Sequence, residues 1–363
     1  MNLTAAFRDP QLARGQLDAI AKTVAGYDGG MTLMEVCGTH TMAIYQHGIR
    51  ALLPEQIRLI SGPGCPVCVT PVGFVDHAVA LARRPQTVIA TFGDMVRVPG
   101  STSSLMREQA SAAQILIVYS PLDAVTFAEK HPELEVVFLG VGFETTTPTI
   151  AGAVLTAERK GVKNFSVLCS HKTMPGPMAA LAADPELQVD GYLCPAHVSA
   201  IIGADAYRPL VEAYNVPCVV TGFEPLDVLQ GVLMLAKQIV AGEAKVENQY
   251  RRVVQPQGNP KALGLLWQLF EPSDARWRGI GDLPGSGLQL RPAYALFDAA
   301  KKFSVEIEPA REHAGCLCGE ILKGKITPPQ CPLFRTVCTP EQPVGACMVS
   351  SEGTCAAEYK YGS

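Results

Sequence analysis

Residues 32–61, TLMEVCGTHTMAIYQHGIRALLPEQIRLIS, read as strand, loop, helix and strand. Two apolar runs of five residues, 32–36 and 57–61, are too short for helices and flank a helical stretch over 42–53. Parallel strands need a crossover of this length, usually a helix, so the segment predicts one βαβ unit. The same alternation continues along the chain. Strand-like runs recur as TVIATFG (87–93), ILIVYS (115–120), VVFLGVG (136–142), FSVLCS (165–170), GYLCPA (191–196) and PCVVTGF (217–223). Between them lie helical stretches such as FVDHAVALARR (74–84), TIAGAVLTAERKG (149–161) and PLDVLQGVLMLAKQIVAG (225–242). Repeated strand–helix alternation implies an α/β fold with parallel sheets covered on both faces.

Eight strands over this length suit two small sheets better than one large sheet. A closed eight-stranded barrel is the competing topology. The Pro-bounded stretch at His131–Glu133 offers a break, giving a first lobe over 31–133 and a second over 134–241. After Gly242 the alternation stops. Pro- and Gly-rich segments (VVQPQGNPK, IGDLPGSG, ITPPQCPLF) surround short helices, with little regular sheet. Residues 242–363, together with an amphipathic N-terminal helix in 1–30, form the expected third domain, mainly helical and irregular.

Composition narrows the function classes. At 363 residues the chain exceeds one ordinary core. Hydrophobic residues make up 48% and charged residues 18%, with a mean hydropathy of +0.16, which describes a well-buried globular protein. A formal net charge of −4 and the lack of a Lys/Arg run argue against nucleic-acid binding. No apolar run approaches the roughly 20 residues that span a bilayer. The N-terminus has no secretory pattern, so the expected compartment is the cytoplasm. There, the 12 cysteines are expected to be thiols or metal ligands rather than a disulfide framework.

The cysteines fall into sets. Cys37 lies in EVCGTHT, and Cys65 and Cys68 in GPGCPVC. Both motifs follow strands, where ligands collect in open α/β sheets. Two glycines and two prolines preset the second loop, and the two-residue spacer favours a reversible disulfide. A helix start near Pro71 would lower the thiol pKa values. Cys37 and His40 together suit a soft-metal site or an activated nucleophile. Glu144 and three threonines in GFETTTP, Asp94 and Arg97 in FGDMVRVPG, and His197 in CPAHVS also follow strands. Cys169, Cys194 and Cys218 lie in β-like apolar runs and read as ordinary buried cysteines. Near the C-terminus, Cys316, Cys318, Cys331, Cys338, Cys347 and Cys355 form the stronger metal signal. Thiolates with wide spacers suit an iron–sulfur cluster or a structural zinc, and their number alone does not choose four ligands. No phosphate loop or dinucleotide fingerprint occurs.

Together, CGTHT, GPGCPVC, FGDMVRVPGS, GFETTTP, PAHVSAIIG and the tail CGEIL…CPLF…GACMVSSEGTCAAEYKYG resemble the HypD family of hydrogenase maturation proteins, in order and over nearly the whole chain. The resemblance implies that Cys318, Cys331, Cys338 and Cys355 hold a [4Fe–4S] cluster, leaving Cys316 and Cys347 outside its ligand set. It implies that Cys37, with a thiolate of the chaperone HypC, ligates a carried iron that becomes the Fe(CN)2CO group of [NiFe]-hydrogenase. HypE would deliver the cyanide, and HypC would lead to the hydrogenase large subunit. His40 would lie near that iron, and Cys65 and Cys68 would exchange electrons with the cluster. Many relatives carry a second histidine where this chain has Met42. Two other readings remain open at this stage: a self-contained iron–sulfur disulfide reductase, and a zinc-stabilised binding module.

Overall fold

All eight expected strands form, and the computed structural model, which describes residues 5–362, adds three more. In chain order they are β1 (Met31–Glu35), β2 (Ile57–Ser61), β3 (Thr87–Thr91), β4 (Gln114–Ile117), β5 (Glu135–Gly142) and β6 (Phe165–Lys172). There follow β7 (Gly191–Pro195), β8 (Cys218–Thr221), β9 (Val246–Asn248), β10 (Phe270–Trp277) and β11 (Gly281–Leu290). The first sheet has the order β2-β1-β7-β8-β9 and is parallel throughout. The second has the order β10-β11-β6-β5-β3-β4, parallel from β6 to β4 with an antiparallel hairpin on its other side. Two open sheets replace the alternative of a closed barrel.

The sheets do not follow the contiguous lobes expected from the sequence. The chain starts the first sheet, leaves to build β3–β6, then returns to complete the first with β7–β9. A division at residue 133 therefore cuts through the second sheet, because β3 pairs with β5. The N-terminal helix Pro10–Val24 does not join the tail either. Its Ile20 and Val24 share an apolar core with β1, β2 and the helix Pro225–Val240 on one face of the first sheet. The expected lack of sheet after Gly242 also fails. Prolines and glycines in 270–290 hid a hairpin whose register shifts between Ser273 and Ala275. A bulge of this kind accommodates breaker residues without ending the strand.

The expected helix over 42–53 is two pieces. Gly48, at φ 59°, ends Gly38–Gln46 in the left-handed region before Ile49–Leu52 begins. No helix among the described residues is long and apolar enough to cross a membrane.

Candidate functional site

Strand order decides which motifs meet. The chain runs from β1 to β2 on one side and later returns to β7 on the other, so the first sheet has its switch point beside β1. The carboxyl ends of β2, β1, β7 and β8 thus deliver Cys65, Cys37, His197 and Gly222–Phe223 side by side. The second sheet delivers Asp94 and Glu144.

Cys37 leaves β1 extended and caps the helix Gly38–Gln46. Its amide donates to the Glu35 Oε2 at 3.0 Å, and Thr41 Oγ1 donates to Glu35 Oε1 at 2.6 Å. Glu35 is fully buried, and burial raises its carboxyl to about 7 despite donors from Ser61, Thr41 and Cys37. Burial likewise pushes the Cys37 thiol up to about 12, with Glu352 and Glu35 adding to the rise and the His40 and Thr39 amides opposing it. A free Cys37 is therefore a thiol at neutral pH. Its proton leaves only when something replaces the missing solvation, as a soft metal does.

His40 is buried, and its Nε2 lies 3.0 Å from both the Thr221 and Gly222 carbonyls at the end of β8. Two carbonyl acceptors place the proton on Nε2. Nδ1 is buried with no hydrogen-bond partner among the described residues. Burial lowers the imidazole to about 4, so it is neutral at physiological pH. Phe223 lies between two imidazoles, with ring centroids 5.0 Å from His40 and 4.2 Å from His197.

The CPVC turn packs directly against this loop. The Gly38 amide donates to the Gly64 carbonyl at 3.1 Å, and Gly64 has no room for a Cβ beside the Cys37 backbone. Cys65 and Cys68 are paired as a disulfide, their Cα atoms 5.2 Å apart. The helix expected near Pro71 runs from Val72 to Ala82, and a separate short turn precedes it. Pro66–Val69 is a single turn capped by Cys65, whose sulfur receives the Cys68 amide at 3.2 Å. On its far side, Cys68 Sγ lies 4.0 Å from the carbonyl of Ala346, the residue before Cys347.

The tail cysteines converge. Cys316, Cys318, Cys331, Cys338, Cys347 and Cys355 line one narrow cavity walled by Ile321, Leu333, Phe334 and Met348. Cys318 Sγ is 2.9 Å from Cys347 Sγ, and the Val344 amide donates to Cys338 Sγ at 3.4 Å. Soft sulfur donors inside an apolar wall fit an iron–sulfur group. Among the described residues, no three His, Cys, Asp or Glu side chains converge tightly enough for one metal ion.

The remaining candidates take other roles. Glu144 is buried, and its Oε1 accepts the Met174 amide at 3.0 Å. Its other oxygen has no partner among the described residues, and burial raises the carboxyl to about 7. None of its hydrogen bonds reaches Cys37 or His40. Arg97 does not pair with Asp94; it donates to the Pro340 and Val349 carbonyls and ties its loop to the tail. Thr146 and Thr147 bond to the Phe143 carbonyl. Cys194 and Cys218 are fully buried, whereas Cys169 is only partly covered.

One residue escaped the sequence reading. Glu352, from the tail, accepts a hydrogen bond from Thr39 Oγ1 at 2.8 Å and lies against Gly38 beside Cys37. An acidic residue some 300 positions away carries no local signal in the sequence.

The family model described as HypD, hydrogenase formation hypA family, matches residues 11–362. The chain belongs to the HypD family. It is 48% identical over 363 residues to the hydrogenase maturation factor HypD of Azotobacter vinelandii, covering 98% of this chain and 96% of that protein. The HypD factor of Rhodobacter capsulatus is 47% identical over 371 residues, at 100% and 98% coverage. That of Escherichia coli K12 is 46% identical over 332 residues, at 91% and 89%. The chain is thus similar to hydrogenase maturation factors along essentially its whole length, including all three sulfur-bearing segments.

Proposed function

We propose that the chain is a redox-active scaffold that, with HypC, carries iron and assembles the Fe(CN)2CO group of [NiFe]-hydrogenase in the cytoplasm, with cyanide delivered by HypE. The observation that carries this reading is the sulfur series: Cys37 stacked on the Gly64–Cys65 turn, and Cys68 abutting the tail segment that bears Cys347. Cys37 supplies a sheltered soft ligand for the carried iron, and a HypC thiolate supplies a second. Cys318, Cys331, Cys338 and Cys355 would hold a [4Fe–4S] cluster, which when bound supplies electrons. Cys65 and Cys68 hold or release an electron pair as disulfide or dithiol. Attaching cyanide and CO to iron needs soft ligands, electrons and exclusion of water, and the buried thiols provide the first and the last.

The self-contained disulfide reductase is less well supported. Cys65 is 4% exposed and Cys68 fully buried, so the disulfide of a partner protein could not reach either sulfur without prior opening of the loop. Infrared spectroscopy of the complex with HypC, isolated without oxygen, tests the scaffold reading. Cyanide and carbonyl stretching bands are expected in the wild type and should vanish in Cys37→Ala. Bands that persist in that variant would refute the carrier role of Cys37.

A further inference from the structure

The helix Val72–Ala82 starts without a side-chain cap, because Pro71 at its N-cap carries no acceptor. The turn of the β10–β11 hairpin is fastened against this start. The Arg278 amide donates to the Val69 carbonyl and its Nε to the Thr70 carbonyl, both at 2.9 Å. Arg278 is only 4% exposed, and its Nη2 is buried with no partner among the described residues. No carboxylate pairs with it among those residues. Val72, Gly73, Arg276 and Arg278 line a cavity of about 820 Å³ between helix and hairpin, to which the tail adds Glu312.

Two positive features therefore meet at one place. The start of an 11-residue helix carries a partial positive charge, and a whole guanidinium charge is buried beside it. A buried cation without a counterion is costly, and the helix start makes it more so. Tying the hairpin to the segment after Cys68 accounts for the amide and for Nε, and neutral donors would do that equally well. It leaves Nη2 and the charge without a purpose. An anion supplies one, since helix-start amides and arginine are a donor set that holds phosphate groups. Donors from two walls suit a tetrahedral oxyanion, whose oxygens point in several directions, better than a planar carboxylate.

We infer that this cavity is a binding site for a phosphate-type oxyanion, held between the Val72 and Gly73 amides and the Arg278 guanidinium. The exposed Arg276 adds charge there, and Glu312 offsets part of it. No bond forms or breaks on binding. The cavity is larger than a bare phosphate fills, so a phosphate ester fits as well as the free ion. The inference depends on neither the carried iron nor the cluster.

Isothermal titration calorimetry on the full chain, prepared without oxygen in phosphate-free buffer, tests it. The probes are inorganic phosphate and glycerol 3-phosphate, with chloride at matched ionic strength as the control. Saturable binding of a phosphate probe at a single site is expected, and none of chloride. Tighter binding of the ester assigns the site to an organic phosphate, and tighter binding of phosphate to the free ion. Arg278→Gln should weaken binding about tenfold or more, through loss of a charge-assisted bond. Val72→Pro removes one amide donor where proline suits a helix start, and should weaken it about fivefold. Arg276→Gln, at an exposed position, should weaken it about threefold. Circular dichroism shows which variants fold, and if neither buried variant does, Arg276→Gln decides. Folded variants that bind phosphate as the wild type does would overturn the inference, as would a wild type that binds neither probe or binds chloride equally well.

Discussion

The backbone of Gly64 lies directly on that of Cys37, so the loop bearing the CPVC disulfide and the loop bearing the lone thiol move as one unit. Because Gly64 faces backbone rather than a flexible side chain, a methyl group there cannot be absorbed by a rotamer change. Gly64→Ala is expected to destabilise the fold by about 1–3 kcal/mol, the usual range for overpacking. It should also weaken iron retention by the complex with HypC, although no sulfur is removed. Urea unfolding and metal analysis check both effects; wild-type values in each would show that the loops tolerate separation.

The GPGC glycine illustrates what the sequence could and could not reveal. Unusual motifs after short apolar runs marked the strand ends, and all eight expected strands form within a few residues of their predicted bounds. Which ends become neighbours depends on strand order. The return of the chain from β6 to β7 is a long-range event with no local pattern. The same limit hid Glu352, whose partner Thr39 is 313 residues away. The β10–β11 hairpin escaped for a different reason: Pro272, Gly281, Pro284 and Gly285 fall inside it, and a bulged edge hairpin tolerates such residues where a central strand would not.

Glu35 should make stability depend on pH. Burial raises its folded value from 4.5 to about 7, so the fold binds this proton more tightly than the unfolded chain does. Its contribution is complete below about 4.5 and is lost as pH climbs through about 7. At 1.36 kcal/mol per unit, the loss is at most about 3 kcal/mol. Glu35→Gln removes the titration while keeping an acceptor for the Cys37 amide. The difference in stability, wild type minus Glu35→Gln, should therefore decrease between pH 5 and 7.5. Urea midpoints measured across that range give the curve, and two parallel profiles would refute the assignment.

His40 should show the opposite slope. Its folded value is depressed to about 4 from 6.5, so the unfolded chain takes the proton first and stability falls as pH drops through that interval. His40→Ala removes this slope and withdraws the Nε2 donor from the Thr221 and Gly222 carbonyls. A loss of about 1–3 kcal/mol at pH 7 is expected from those buried acceptors. His40→Gln, which can offer an amide N–H, should recover part of it. Unfolding of the three proteins at pH 7 and pH 5 tests the point, and equal stability of His40→Ala and wild type at pH 7 would exclude a structural role for Nε2.

The tail cavity holds six thiols where a four-iron cluster needs four, so the ligand set is an experimental question with a definite expectation. On the reading proposed above, Cys318, Cys331, Cys338 and Cys355, which all line the cavity, are the four ligands. Each alanine variant should lose nearly all iron, sulfide and visible absorption in oxygen-free preparations. Cys316 and Cys347 stand beside Cys318 rather than opposite it: the Cys347 sulfur is 2.9 Å from that of Cys318, and Gly345 packs against both Cys316 and Cys318. Two sulfurs that close cannot take separate corners, so Cys316→Ala and Cys347→Ala should keep the wild-type iron and sulfide content. Loss of the cluster in Cys347→Ala, with retention in Cys318→Ala, would reassign that corner to Cys347.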